Sequence, residues 1–69
     1  MRDNLDLAAS AQELADAAPA GSVERAAASS VAITLATTRD VASARRTLDG
    51  LTPDEVRKAA LELFDRLSG

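Results

Sequence analysis

The groups in this chain that could do chemistry are carboxylates, hydroxyls, arginines and a single lysine; His, Cys, Trp and Tyr are absent. Proton transfer or covalent attack needs a nucleophile beside a base, or two acids held in different environments. Ser29 and Ser30 have no imidazole to take a proton, and both sit in an alanine-rich run as helix filler. Lys58 follows Asp54 by four residues, and Arg66 follows Glu62 by four, so each reads as half of an acid-first ion pair on a helix surface. Asp54 and Glu55 are accounted for by helix capping. The adjacent Arg45 and Arg46 read as a solvated face rather than a phosphate clamp. Gly21, Gly50 and Gly69 stand at joints or at the end, so no glycine-rich phosphate loop exists. The spacing of a calcium loop is missing, as are the thiolates and imidazoles of an ordinary zinc site. The chain is therefore read as a non-enzyme with no catalytic, cofactor-binding or metal site.

The elements that must position any other site are short. The sequence has 69 residues, enough for one small domain spanning 1–69. Hydrophobic residues make up 46%, but half of these are Ala. The larger ones are nine Leu, four Val, Ile33, Met1 and Phe64. A core this thin, with no disulfide or metal to support it, is commonly completed by self-association, so a homodimer is expected. Net charge is −3, and no segment is basic, which argues against a strong nucleic-acid binder. No apolar run approaches the ~20 residues of a membrane span, and a soluble, cytoplasmic protein is expected.

Four helical segments emerge, at about 3–18, 22–36, 39–49 and 53–67, which makes the expected fold an all-α bundle. In the first, Leu7, Ala8, Ala11, Leu14, Ala15 and Ala18 share one side, Asp3 or Asn4 can cap the start, and Pro19-Ala20-Gly21 ends it. Ser22 can cap the second. That second segment also carries a contrary signal, because Val31, Ile33 and Leu35 alternate with smaller or polar residues as on a half-buried strand. A helix there would have to be buried nearly all round. Thr38 is the expected cap of the third helix, which Asp49-Gly50 closes. The fourth has the fullest start: Thr52 as cap, Pro53 at the first helical position, Glu55 reaching back, and Leu51 and Val56 as a staple. Its core stripe is Val56, Ala59, Ala60, Leu63 and Leu67, with Leu61 and Phe64 off the centre and widening the apolar arc.

The stretch from Ser30 to Arg66 resembles the ribbon-helix-helix family of small repressors and antitoxins. It carries Val31-Ala32-Ile33-Thr34-Leu35, then a helix closed by Gly50, then Leu51-Thr52 and a helix through Ala60-Leu61-Glu62-Leu63-Phe64. The resemblance implies a dimer with a strand at 31–36 paired between chains. It also implies Ser30, Ala32 and Thr34 turned toward DNA bases, and a phosphate held at the helix start near Thr52.

Of the two readings, the bundle leads. It makes the chain an interaction or regulatory module that contacts itself or a protein partner through apolar helix faces. Leu61, Phe64 and Leu67 are the expected partner-binding residues. The alternative is a DNA-binding repressor or antitoxin acting through Ser30, Ala32, Thr34 and Thr52.

Overall fold

The computed structural model describes residues 4–68. It contains four α-helices: α1 (Asn4–Ala17), α2 (Val23–Thr37), α3 (Val41–Asp49) and α4 (Asp54–Ser68). No strand occurs among the described residues. The helical bundle is the fold, and the paired-strand alternative at 31–36 is not supported.

The α1–α2 hairpin is made by a turn whose residues each have a job. Gly21 sits at φ +81°, in the left-handed region that a Cβ disfavours. Ser22 caps α2 by accepting the Arg25 N–H at 3.1 Å, and its hydroxyl donates to the Pro19 carbonyl at 2.7 Å. The Arg25 guanidinium turns back to the Ala18 carbonyl at 3.4 Å, placing a cation at the end of α1. At the far end of the hairpin, the Asn4 side-chain amide donates to the Thr38 carbonyl at 3.2 Å. Asn4 thus links two elements instead of capping its own, and Asp3 lies outside the described residues.

Residues 31–36 are helical because one helix face outweighs the alternation. Ala27, Val31 and Leu35 repeat at four-residue intervals, as do Ala28 and Ala32, and all five are buried. Ile33, the residue that creates the strand-like pattern, is left 64% exposed. The helix is therefore central without being enclosed. It packs against all three others, while Glu24, Ala26, Ile33 and Ala36 face solvent.

Two helix starts differ from expectation. Thr38 closes α2, its N–H and hydroxyl both donating to the Thr34 carbonyl, at 3.1 and 2.7 Å. The cap of α3 is Asp40, whose carboxylate accepts the Ser43 N–H at 2.8 Å. A charged acceptor makes the stronger bond to an orphan N–H, and the helix starts where it stands. The expected box at Thr52 and Glu55 also gives way. The Pro53 carbonyl accepts from Val56 and Arg57, both at 3.1 Å, so Pro53 itself holds the position before the first helical residue. Leu51 and Val56 are both partly buried against the core.

Among the described residues the core is a cluster of fourteen, eight of them Ala. The others are Leu7, Val31, Leu35, Leu48, Leu63 and Phe64. Phe64, placed off the stripe by the helical wheel, is 1% exposed and lies inside. The bulkiest side chain gains most from burial, and α4 is turned so that Phe64 enters while Leu61 and Leu67 become half-buried. The exposed surface is 4371 Å², against about 4,100 Å² typical of a folded monomer of this mass. The radius of gyration is 10.6 Å, against about 11 Å expected for a chain this long. Close helix approach over alanines closes the single chain to ordinary compactness without bulky residues.

Candidate functional site

Helices α1 and α4 both lie along α2 but meet each other only briefly. Between them is a groove of about 420 Å³. Ala27 and Ala28 of α2, each 2% exposed, lie at its base. Leu14 of α1 and Ala59 and Leu63 of α4 add the remaining apolar lining, and the exposed Glu24, Glu62 and Arg66 supply the charges. Ala27, Ala28 and Ala59 contribute only small side chains to this lining.

Helical geometry sets the length of this groove. Ala59, Glu62, Leu63 and Arg66 follow one another at intervals of three, one and three, a single stripe running two turns along α4. At ~1.5 Å rise per residue that stripe is roughly 10 Å long, the span of two turns of another helix. The expected Glu62–Arg66 pair is not made, and neither side chain has an ion partner among the described residues. Asp54 pairs with Arg57 at 3.0 Å instead of with Lys58. Arg45 pairs with Asp65 and so ties α3 to α4 from the outside.

The expected contact residues are placed elsewhere. Phe64 is inside the core, Leu61 and Leu67 pack partly against it, and none of the three lines the groove. The positions assigned to DNA contact do not come together on a ribbon. Ala32 and Thr34 are buried in α2, at 5% and 6% exposure, Ser30 is half-buried, and only Thr52 is exposed. Leu14, read from the wheel as core, is 45% exposed at the groove. Its position at the edge of the α1 stripe was the one sequence signal for it. Ala59, expected in the core stripe of α4, is partly buried against the core at the groove; nothing in the sequence marked Ala27 or Ala28 for it, since their significance comes from which helices meet.

Among the described residues no group of three or more Asp or Glu is arranged to hold a metal ion, and no helix is long and apolar enough to cross a membrane. The carboxyl of Asp40 is held below its ordinary value of 3.8 by the Ser43 backbone N–H and then the Ser43 hydroxyl, with Arg46 and Arg39 adding attraction. Asp40 is a cap remote from the groove in sequence, and its shift reports helix closure. No protein-family model, no curated protein and no solved structure matches this chain.

Proposed function

We propose that this protein is a non-enzymatic interaction module that holds an apolar helix face in the groove between α1 and α4. The observation that carries the reading is the lining itself: the exposed Leu14 and the half-buried Ala59 border a recess that the buried Ala27, Ala28 and Leu63 close, edged by charge. Small residues at the base let a docking helix come close, so its larger side chains supply the bulk this chain lacks. Hydrophobic contact also suits the reactive inventory, since the sequence holds no imidazole or thiol.

The size of the groove sets the strength of such contacts. Burying two Leu-sized side chains is worth about 1.5–3 kcal/mol each, before the cost of ordering the partner. That total falls short of the ~8 kcal/mol of a micromolar complex. The module would bind weakly and reversibly, as a regulatory contact does. The volume also falls in the range of small-molecule sites, roughly 300–1,000 Å³, but those sites converge several polar groups on the ligand. Here the polar groups lie on exposed residues at the edge of the groove.

Selection from a display library of helical peptides tests the proposal. Enriched sequences should carry two bulky apolar residues three or four apart. Their binding should weaken by about tenfold in Leu14→Gln, a loss of ~1.4 kcal/mol, with the circular dichroism spectrum unchanged. Absence of enrichment, or binders indifferent to Leu14→Gln, would remove the groove as the site.

A further inference from the structure

We infer that the occupant of the groove is a cationic amphipathic helix of another protein, its apolar stripe laid on Leu14 and Ala59 and its lysines or arginines set against Glu13, Glu24 and Glu62. The inference rests on the groove being a docking site, and it adds the chemistry of what docks there. Charge selects the occupant. Residues 18–69 hold seven acids and seven bases, and Arg2 balances Asp3, so the whole net charge of −3 belongs to Asp6, Glu13 and Asp16 on α1. No base stands between Asn4 and Ala17. Arg25, the first base after α1, turns to the Ala18 carbonyl rather than to an acid. One wall of the groove is therefore a uniformly acidic helix, and the lining adds Glu24 and Glu62 against the single base Arg66.

These carboxylates lie where a docked helix would present its flanks. Glu13, Glu24 and Glu62 are exposed, and none has an ion partner among the described residues. Glu13 precedes Leu14, about 100° round α1 and further from the buried stripe of Leu7, Ala8, Ala11 and Ala15. Lysine and arginine stems cross apolar surface and set their charge at such a rim, which a short side chain does not. A neutral helix would leave three exposed carboxylates without counter-charge, and a second copy of this chain brings another −3. Arg66 makes the one exception, so the partner carries an acid or no charge at the position opposite it.

Two synthetic helical peptides test the inference, alike in two leucines four apart and differing in lysine or glutamate at the flanking positions. Heteronuclear NMR titration of the full chain reads both the affinity and the residues that respond. At low salt the lysine peptide should bind about tenfold or more tightly than the glutamate peptide, with shifts along α1 and α4. At about 1 M salt, where charges are screened beyond ~3 Å, the two should agree within about threefold. Glu13→Gln, Glu24→Gln and Glu62→Gln should each weaken the lysine peptide about two- to fivefold, and Arg66→Gln should strengthen it by a similar factor. Asp49→Asn, on α3 and outside the lining, should change it by less than about 1.5-fold. Thermal melts establish that the variants are folded. Equal affinity for the two peptides at low salt, with Leu14→Gln weakening both, overturns the cationic partner and leaves the groove standing. Binding of neither overturns both. A lysine preference that Asp49→Asn lowers as much as Glu62→Gln overturns the placement at the groove. A dimer of the chain alone, seated on the groove residues and not displaced by the lysine peptide, makes the occupant a second copy and overturns the partner.

Discussion

The two halves of this molecule fill their interiors in opposite ways. The buried face of α1 is Leu7 with Ala8, Ala11 and Ala15, and α2 adds Ala27, Ala28 and Ala32 to Val31, Thr34 and Leu35. Here two helix backbones come close because the side chains between them are small. The buried positions of α3 and α4 are Ala44, Leu48, Ala60, Leu63 and Phe64, and here larger side chains fill the interior. One half is held by proximity and the other by volume. Opposite kinds of substitution should therefore damage the two: loss of volume in one, gain of volume in the other.

Phe64→Ala strikes the half that depends on volume and should have the largest effect. Removing a fully buried Phe costs about 3–5 kcal/mol, close to the whole stability of a domain below ~70 residues. Urea melts should find the variant largely unfolded at room temperature; a cooperative transition with an unchanged midpoint would mean that Phe64 is not the central support. Ala11→Leu is the converse test on the close-packed half. Ala11 is fully buried, and added methylenes there should cost about 1–3 kcal/mol by forcing α1 away from α2. A neutral or stabilising result would show that the α1–α2 interface has slack.

The smallest effects separate the halves by pH. Ser22 caps α2 with a hydroxyl that does not titrate, and Ser22→Ala should cost about 1 kcal/mol at any pH. Asp40 caps α3 with a carboxylate whose folded value is lowered from 3.8 by the Ser43 N–H. A depressed carboxylate stabilises the fold above its unfolded value and loses that contribution as pH falls through the folded one. Stability should therefore decline as acidity is raised past pH 3.8, and Asp40→Ser, which keeps a cap but no charge, should remove that part of the decline. Parallel acid-dependent melts of the two proteins would read it; identical curves would deny Asp40 the role.

Local signals in the sequence located the helices well. Gly21 and Ser22 act at the joint where their chemistry places them, Gly50 ends α3 at φ −96° without using a glycine's left-handed freedom, and the four segments match the four helices to within a few residues. What local reading missed was rotation about a helix axis. Phe64 and Leu14 exchanged places between core and surface, because a wheel finds the apolar side of a helix but not the neighbour it faces. The strand-like alternation at 31–35, which supported only the alternative fold, came from Ile33, which is apolar but left 64% exposed. The groove was beyond local reading altogether. It exists because α1 and α4 share α2 without closing on each other, a relation among three helices that no window of sequence contains.

The alanines at 27, 28 and 59 also bear on how this chain can change over time. At Ala59, half-buried beside the groove, a larger residue would find open space on one side and apolar neighbours on the other, the circumstance in which added carbon tends to raise a melting temperature; Ala27 and Ala28 are buried like Ala11 and would resist it. Selection acting on thermal endurance alone would be expected to seal such a recess from the α4 side. Variants recovered from a heat-challenged library should accordingly carry larger residues at 59 and keep alanine at 27 and 28.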